Sequence, residues 1–350
     1  METSAAMERA RMAGSELSFH GIIGRSAAMR ALFDEIKRFA PVDVPILIRG
    51  ESGTGKELVA KAIQRLSGRR ERPFEKLNCA DLTKELLRNE LFGHERGAFT
   101  GAVSRAAGLV TRLDGGTLFM DEIGELAPDA QGMLLRFLQE GEGRPVGATR
   151  SITVDVRVIA ATHQDLEAGV ERGTFREDFY YRLWWAVLEV PPLRARREDI
   201  ALLVEHFRVS VNRDDGLGLD IKGVTREAMA VLEGDDWPGN VRELEAVVKR
   251  AMVRRRVGWV TREDIVLPRL RRERVPGAMR ALGIELTPVQ EEALRLASGR
   301  GAVRRGDLVA RCGISRETAR KALLDLERAG ALRREGRGRG VLYVPVALSP

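Results

Sequence analysis

The sequence predicts an α/β protein with a mainly parallel sheet, followed by a helical region and a small basic C-terminal domain. Between residues 21 and 191, short β-rich apolar runs alternate with helical stretches, which is typical of a parallel sheet covered by helices. The strand pattern stops after Pro192, and the residues that follow have helical periodicity. The 350 residues are 44% hydrophobic and 31% charged, a globular composition with enough chain for two or three domains.

Each predicted element rests on the spacing of its apolar residues. Strands are predicted over 44–49, 116–120 and 154–161, with helices over 29–39, 57–66 and 131–140. Beyond Pro192, helices are predicted over 197–209, 225–233 and 241–255, so an all-α region without strands is expected. The predicted boundaries are a disordered or extended N-terminus at 1–20, an α/β subdomain at 21–191, a helical subdomain at 192–268, an Arg-rich linker at 269–285 and a C-terminal domain at 286–346.

Composition excludes membrane and secreted disulfide proteins. No apolar run approaches the roughly 20 residues of a membrane helix. The first fifteen residues carry both charge signs and lack the apolar core of a signal peptide. Cys79 and Cys312 have no Cys or His neighbours at metal-ligand spacing and cannot form a disulfide framework. We therefore expect a cytoplasmic protein with no membrane partner.

The positive charge lies in the C-terminal part of the chain. Of 58 Lys and Arg residues, 18 follow residue 268, together with 9 of the 51 Asp and Glu residues. This segment therefore has a net charge of +9, and the rest of the chain has a net charge of −2. A general enrichment in Arg is the alternative explanation, but it would spread the charge along the chain. The uneven charge predicts a polyanion partner for the C-terminal domain.

A glycine-rich loop lies between a predicted strand and a predicted helix. The stretch Gly50-Glu-Ser-Gly-Thr-Gly-Lys56 directly follows the apolar strand 46–49, which is the setting of a phosphate-binding loop. Its glycines would let backbone N–H groups surround phosphates, and Lys56 would place a positive charge on their oxygens. Glu57 stands where the common pattern has Ser or Thr, so one usual magnesium ligand is missing.

Two acids end a second apolar strand, Leu118-Phe-Met-Asp121-Glu122. Asp121 would bind Mg²⁺, directly or through water, and Glu122 would polarise the water that attacks the γ-phosphate. The alternative is that the two acids begin a helix, whose N-terminus favours negative charge. The two motifs in this order predict hydrolysis of ATP with Mg²⁺ as cofactor.

Five stretches of the chain form a set. They are Gly50-Glu-Ser-Gly-Thr-Gly-Lys-Glu57, Gly97-Ala-Phe-Thr-Gly-Ala102, Gly115-Gly-Thr-Leu-Phe-Met-Asp-Glu-Ile123, Phe175-Arg-Glu-Asp-Phe-Tyr-Tyr-Arg-Leu183 and Trp237-Pro-Gly-Asn-Val-Arg-Glu-Leu244. With them, residues 19–268 resemble the AAA+ domain of bacterial enhancer-binding proteins, the activators of sigma-54 RNA polymerase. The resemblance implies an AAA+ P-loop NTPase core with a parallel sheet and an all-α lid. Glu57 belongs to this family's own version of the loop.

The resemblance also implies residue roles. The predicted ATP-binding residues are Ile23, Gly24, Gly50, Glu51, Ser52, Gly53, Thr54, Gly55, Lys56, Glu57, Asp121, Glu122, Thr162, His163 and Arg242. Thr162 and His163 match the first sensor, where Asn is more usual than His, and Arg242 matches the sensor arginine of the lid. Lys56, Asp121 and Glu122 are the catalytic and metal residues, and Asn78 matches the residue that pairs with Glu122 as a switch.

Two arginines indicate an assembly. Arg176 and Arg182 match the arginine fingers that reach the ATP of a neighbouring subunit in the family. Because such a finger stabilises transition-state charge in trans, a homo-oligomeric ring is implied, and a hexamer is expected. Surface ion pairs with Glu177 and Asp178 are the alternative role for these arginines.

The loop Gly97, Ala98, Phe99, Thr100, Gly101 and Ala102 identifies a partner. Its two glycines place an aromatic and a hydroxyl side chain on a loop tip, and an exposed aromatic usually marks a partner contact. From the residues alone, Phe99 folding back into the core remains open as the alternative. The resemblance assigns this hexapeptide to contact with the sigma-54 RNA polymerase holoenzyme.

The C-terminal region differs from the family's usual short helix-turn-helix domain. A helix at 306–311, a turn at 312–314 and a helix at 315–328 predict a helix-turn-helix, followed by a β-wing over 332–346. This pattern resembles the winged helices of small bacterial repressors and predicts binding to double-stranded DNA. The candidate DNA-contacting residues are Ser315, Arg316, Arg320, Lys321, Arg333, Arg334, Arg337 and Arg339.

The resulting prediction is an ATP-hydrolysing transcriptional activator that binds upstream DNA and remodels sigma-54 holoenzyme. About 20 residues precede the AAA+ resemblance, so no N-terminal regulatory domain is expected. One alternative is a DNA-binding repressor whose AAA+ body serves only to oligomerise. The other is a generic AAA+ remodelling ATPase, which would share the ATP motifs without the 97–102 loop.

Overall fold

The fold is seen in a computed structural model, which describes residues 18–80, 82–213, 216–268, 286–300, 302–335 and 341–346. The chain divides into two units, Met1–Ile265 and Val266–Pro350, and each is described by itself. The predictions for residues 1–17, for the linker at 269–285 and for Arg337 and Arg339 lie outside the described residues.

The strands of the first unit are Ser18–Phe19 (β1), Ile22–Ile23 (β2), Ile46–Arg49 (β3), Phe74–Asn78 (β4), Gly93–His94 (β5), Ala106–Ala107 (β6), Thr117–Asp121 (β7), Glu142–Gly143 (β8), Ile152–Thr153 (β9), Arg157–Thr162 (β10), Ala186–Glu189 (β11), Asp220–Val224 (β12) and Val257–Val260 (β13). Its α-helices are Ala27–Phe39 (α1), Lys56–Leu66 (α2), Lys84–Phe92 (α3), Leu109–Arg112 (α4), Pro128–Glu140 (α5), Leu166–Glu171 (α6), Glu177–Leu183 (α7), Ile200–Asn212 (α8), Arg226–Gly234 (α9) and Asn240–Arg255 (α10).

A parallel sheet of five strands, in the order β11-β3-β10-β7-β4, forms the centre of the first unit. Residues Arg49 of β3 and Thr162 of β10 are paired, as are Asn78 of β4 and Asp121 of β7. The carboxyl ends of these four strands therefore meet at one edge of the sheet. In open α/β sheets this edge is where ligands bind.

Helices cover both faces of the sheet, so its strands are apolar on both sides. One face packs Leu47, Leu118 and Ala160 against α5 and α7. The other face packs a set of fully buried residues against α1 and α2: Ile46, Ile48, Phe119, Ile159 and Ala161. The α/β fold with a parallel sheet is confirmed. Each predicted helix and strand of this region is present, with ends shifted by at most three residues.

The region after Pro192 is helical, but the expectation that strands stop there is wrong. Strands β12 and β13 pair in parallel beside α8, α9 and α10. The turn into β13 is made by Arg256, whose φ of 65° reverses the chain after α10. The two strands have only five and four residues, and the ring of Trp259 lies against Gly223. Such short, half-exposed strands give too little alternation to be recognised in the sequence.

The second unit contains the helices Pro288–Arg300 (α11), Arg305–Cys312 (α12) and Arg316–Arg328 (α13), and the strands Leu332–Glu335 (β14) and Leu342–Pro345 (β15). Strands β14 and β15 are antiparallel, and Val303 forms an additional bridge to Tyr343. Gly313 ends α12 with a φ of 65°, and the hydroxyl of Ser315 accepts a hydrogen bond from the Thr318 amide to begin α13. Ala319, Leu323 and Leu326 of α13 are buried.

In the part of the chain that the structure describes, we find no helix that combines the length and apolar character of a bilayer span.

Candidate functional site

The phosphate-binding loop joins the end of β3 to the first turn of α2. Lys56 is the first residue of α2 and is only 7% exposed. Its Nζ atom donates to the carbonyl of Gly50 at 2.8 Å and lies 3.7 Å from Glu122 Oε1. Burial lowers the pKa of Lys56. Together, the helix N-terminus and this ammonium group make the loop a site for anions.

Glu122 follows β7 in a conformation that is rare for a residue with a side chain. Its φ is 56° and its ψ is 49°, in the left-handed region. The carboxylate accepts a hydrogen bond from the His163 amide at 3.4 Å and forms a second with His163 Nδ1 at 2.7 Å. Backbone strain of this kind concentrates at functional sites. The structure thus brings together Glu122, Lys56 and His163, three of the residues that the resemblance implies for ATP binding.

Asp121 is held by a lysine that sequence reasoning missed. Lys76 Nζ, on β4, lies 2.9 Å from Asp121 Oδ2 and 2.9 Å from Glu57 Oε2. Glu57 also binds Lys61 at 2.6 Å. The hydrogen bonds from Lys61 and then Lys76 lower the pKa of Glu57 to about 2. The alternation of β4 is the signal that could have found Lys76, since residues 76 and 78 share one face of the strand.

The expected pairing of Asn78 with Glu122 is not formed in the described part of this chain. The side-chain oxygen of Asn78 instead accepts a hydrogen bond from the Ala80 amide at 3.2 Å. The oxygens of Glu122 face His163 and Lys56. Thr162 is buried, and its hydroxyl accepts from the Gln164 amide at 3.0 Å. Of the two sensor residues, His163 is therefore the one in contact with Glu122.

The helical region holds the phosphate-binding loop directly. Asn240 Nδ2 donates to the carbonyl of Ser52 at 3.0 Å and to Glu51 Oε2 at 3.1 Å. Arg194 forms two hydrogen bonds with Glu51, of which Nη1 to Oε2 is 2.8 Å. Arg242 Nη1 donates to the Ser52 hydroxyl at 3.2 Å. This contact places Arg242 beside the loop, where a residue that senses the bound nucleotide has to lie. Asn240 lies inside the 237–244 stretch, but no pattern in the sequence singled it out.

Gly53 is required where the loop meets this region. Its φ is 79°, and a Cβ atom there would lie 2.3 Å from the carbonyl oxygen of Gly239. The Arg242 amide also donates to the Gly53 carbonyl at 3.3 Å. A side chain at residue 53 would therefore push the two segments apart.

Two buried charged residues that sequence reasoning missed hold the loop and the start of α1. Arg196 Nη2 donates to the Thr54 carbonyl at 3.0 Å. Asp199 accepts from the amides of Arg25 and Ser26 at 2.7 and 3.0 Å, and from the Ser26 hydroxyl at 2.7 Å. Burying these charges is favourable only because they are hydrogen-bonded. Their partners lie more than 140 residues away in the sequence, which is why no local pattern indicated them.

Two cavities border the loop. A small apolar cavity of about 40 Å³ is lined by Ile22, Ile23, Met29, Thr54, Gly55, Leu58, Val59, Val190, Arg196, Leu203 and Val241. It includes Ile23, one of the predicted ATP-binding residues, and Gly24 adjoins it because a Cβ there would touch Met29. A larger cavity of about 490 Å³ is lined by Arg49, Gly50, Glu51, Thr162, His163, Gln164, Asp165, Glu167 and Glu189. The loop thus borders a small apolar cavity and a larger cavity whose nine lining residues include four acidic ones.

Arg176 and Arg182 flank helix α7. Arg176 is half exposed and forms hydrogen bonds of 3.0 and 2.7 Å with Asp178. Arg182 donates from Nε and Nη2 to the carbonyl of Leu138 at 3.2 and 2.8 Å. Within one chain, Arg176 therefore makes the surface ion pair that was the alternative to a finger role. Because an exposed pair of this kind contributes little to stability, the side chain can leave Asp178 at small cost.

The 97–102 loop is a tight turn above a two-stranded ribbon. Strands β5 and β6 pair below it, and the Gly97 amide donates to the Ala102 carbonyl at 2.9 Å. Gly97 and Gly101 have φ values of 77° and 103°, with open space where a Cβ would point. Phe99 is 46% exposed and contacts only one edge of the His94 ring, at 4.9 Å between centroids. The aromatic side chain therefore rests on the ribbon and does not enter the core.

In the second unit, the polar side of α13 is exposed. Arg316, Arg320 and Lys321 are exposed, as are Arg333 and Arg334 on β14. Arg320 lies 3.8 Å from Glu317, and Arg333 lies 2.7 Å from Glu335. These basic side chains flank the buried face of the small domain and remain accessible within this unit.

The parallel sheet with its phosphate-binding loop, and the helical lid that holds the loop, place the chain in the AAA+ class of P-loop proteins. Residues 22–189 match the model of the sigma-54 interaction domain, and residues 194–279 match that of the AAA+ ATPase lid domain. The chain belongs to the family of AAA+ transcriptional regulators that carry the sigma-54 interaction domain. The family predicted from the five sequence stretches is confirmed.

Individual relatives agree with this assignment. The chain is 51% identical over 254 residues to the transcriptional regulatory protein ZraR of Salmonella typhimurium, covering 71% of this chain and 57% of that protein. It is 48% identical over 255 residues to the Nif-specific regulatory protein of Azotobacter vinelandii, covering 73% of this chain and 48% of that protein. The chain thus spans about half the length of these two relatives.

A solved structure has the same fold. The crystal structure of NtrX from Brucella abortus in complex with ATP matches with a TM-score of 0.64 and 33% identity, covering 93% of this chain and 74% of that one. NtrX has also been crystallised with ADP, in a structure that matches at 31% identity.

Proposed function

We propose that this protein is an ATP-hydrolysing transcriptional activator that binds DNA upstream of promoters and remodels sigma-54 RNA polymerase holoenzyme. The observation that carries the proposal is one chain that joins a phosphate-binding edge with Lys56, Asp121 and Glu122 to an exposed, unaltered 97–102 loop. The family membership supports the same function.

The site residues divide the work of hydrolysis. Backbone amides of the loop and Lys56 bind the β- and γ-phosphates, and the lid residue Arg242 approaches the same loop. Glu122 orients the attacking water and accepts its proton, and His163 holds the Glu122 carboxylate in place. The apolar cavity beside Ile23 accepts the adenine ring.

Asp121 and Glu57 fit a magnesium ion that arrives with the nucleotide. Among the described residues, no group of three or more His, Cys, Asp or Glu side chains could form an all-protein metal cage. Mg²⁺ in nucleotide sites needs only one or two carboxylates together with phosphate oxygens, and this donor set meets that need. Bound there, Mg²⁺ would neutralise charge on the phosphates.

We infer that subunits share each site. Arg176 is accessible at the start of α7, and its side chain forms a surface ion pair with Asp178, so it can reach a neighbour's γ-phosphate in a ring.

Mixing Arg176→Ala with Lys56→Ala subunits should therefore restore part of the ATPase activity that each variant lacks, since each lacks a different half of the shared site. ATPase assays on mixtures whose mixed rings are verified by mass spectrometry would test this. Mixed rings without activity would place the arginine within its own subunit.

The second unit supports DNA binding of the winged-helix kind. Helix α13 exposes Arg316, Arg320 and Lys321 near its N-terminal end, the part of a recognition helix that reads bases in the major groove. Arg334, exposed on β14, can contact phosphates, which are bound without sequence preference.

Removal of residues 269–350 should abolish specific DNA binding and spare ATP hydrolysis. We expect Arg320→Ala to change sequence preference, whereas Arg334→Ala should weaken binding to all sequences and lower the salt-dependence slope by about one unit. Binding isotherms on specific and random duplexes at several salt concentrations would separate these effects. DNA affinity that survives the truncation would place the binding surface elsewhere.

The decisive test of the whole function is open-complex formation by the full chain with ATP and sigma-54 holoenzyme. A repressor whose AAA+ body only oligomerises would bind DNA without ATP turnover. A generic remodelling ATPase would turn over ATP without opening the promoter. The presence of Lys56 and Glu122 at the catalytic positions argues against a repressor without ATP turnover. The exposed Phe99 loop argues against a generic remodelling ATPase.

A further inference from the structure

Lys76 lies between the two carboxylates on either side of the proposed magnesium position. Its Nζ atom is 2.9 Å from Asp121 and 2.9 Å from Glu57. The register of the sheet fixes this placement, because Lys76 of β4 is opposite Phe119 of β7, two residues before Asp121. The ammonium group also lies 5.8 Å from the centroid of the Phe119 ring. Lys76 is therefore positioned by the strand and by three contacts.

The charges around this position nearly cancel. Asp121 and Glu57 contribute two negative charges, and Lys76 and Lys61 contribute two positive charges. A divalent cation that approaches this balanced group alone gains little Coulomb energy. The phosphates of ATP would make the site strongly negative again.

We propose that Lys76 acts as a built-in cation that competes with Mg²⁺ for Asp121 and Glu57, so that the metal binds together with the nucleotide and only weakly without it. This inference rests on the proposed function, because it takes Asp121 as the magnesium ligand. Lys76 is a positioning residue in this scheme. It sets when Asp121 is free to bind metal, and no step of hydrolysis passes through it.

Direct metal binding to the nucleotide-free full chain tests the proposal, with Mn²⁺ as the probe and electron paramagnetic resonance as the measurement. Lys76→Met should bind Mn²⁺ roughly five- to tenfold more tightly than the wild type, since an ion-pair competitor has been removed from Asp121. Lys61→Met is the matched control, because it removes the same charge from Glu57 but has no ion pair with Asp121 among the described residues. Its Mn²⁺ affinity should rise clearly less than that of Lys76→Met, since Lys61 forms an ion pair with Glu57 and Lys76 forms ion pairs with both carboxylates.

A second measurement covers the coupling between metal and nucleotide. In the wild type, a non-hydrolysable ATP analogue should raise Mn²⁺ affinity more than it does in Lys76→Met, and by linkage Mn²⁺ should raise analogue affinity by the same factor. Lys76→Arg, which keeps the charge, should behave as the wild type. Lys76→Gln provides the same comparison if the Met variant does not fold. Equal Mn²⁺ binding by the wild type, the charge-removing Lys76 variant and Lys61→Met would overturn the proposal.

Asp121→Asn separates this inference from the proposed function. If Asp121→Asn keeps wild-type Mn²⁺ affinity in the presence of the ATP analogue, the assignment of the metal ligand fails, and the inference fails with it. If Asp121→Asn loses that affinity while Lys76→Met equals the wild type, the site stands and the role of Lys76 is refuted.

Discussion

Glu122→Gln is expected to lower ATP turnover by about 100-fold or more while ATP binding stays close to that of the wild type. The amide keeps the shape of the side chain but cannot accept the proton of the attacking water. Binding should be retained because Lys56, although 3.7 Å from Glu122, is also held in place by its hydrogen bond to the Gly50 carbonyl at 2.8 Å. Single-turnover hydrolysis and equilibrium binding of a fluorescent ATP analogue would measure the two quantities independently.

Glu125→Gln is the control for this variant. Glu125 follows Glu122 by one short turn and accepts a hydrogen bond from Gln164 at 2.8 Å. The substitution therefore removes a negative charge near Glu122 and leaves the phosphate-binding loop unchanged. Its turnover should be close to that of the wild type. Near-normal hydrolysis by Glu122→Gln would refute the assignment of the general base, whereas equal losses in both variants would indicate a general charge effect.

Phe99→Ala and Thr100→Ala should abolish open-complex formation and leave ATP hydrolysis largely intact. Both side chains are exposed at the loop tip above the ribbon of β5 and β6, and neither belongs to the phosphate-binding loop or to the strand ends that hold Asp121 and Glu122. Phe99 loses only its contact with the His94 ring, so little change in stability is expected. Promoter opening, followed by a base-reactive footprint, and steady-state ATPase would be measured on the same preparations.

Val103→Ala is the matched control for the loop. Val103 is 81% exposed directly after the hexapeptide. Its truncation to Ala removes exposed apolar surface next to the loop but outside the proposed contact. It should open promoters as the wild type does. If Phe99→Ala and Thr100→Ala instead lose ATPase activity in proportion to promoter opening, the loop has a structural role.

The sequence predicted those parts of the site whose residues are close together along the chain. Lys56 in its glycine-rich loop and Asp121-Glu122 at the end of a strand are recognisable from a few neighbouring residues, and the structure brings them to one sheet edge. Residues that act across long separations gave no such signal. Asp199 supports Ser26 from 173 positions away, and Lys76 reaches Asp121 only because β4 and β7 are paired.

The expected Asn78–Glu122 contact shows a second limit. The resemblance indicated which residues face the same region, but the choice of hydrogen-bond partner depends on side-chain rotation. Here the Asn78 oxygen turns to its own backbone at Ala80, and His163 takes the position beside Glu122. The missed strands β12 and β13 have a related cause, because their pairing is decided by the packing around Trp259 and not by their own alternation.

The contacts of Asn240 have a mechanical consequence. One amide group binds the Ser52 carbonyl and Glu51, and its oxygen accepts from the Leu193 amide at 2.8 Å, where the chain enters the lid. The close approach of Gly53 to Gly239 leaves no slack between the two segments. We therefore expect the phosphate-binding loop and the base of the lid to move as one rigid body. A displacement of less than an ångström at the phosphates would then rotate the lid.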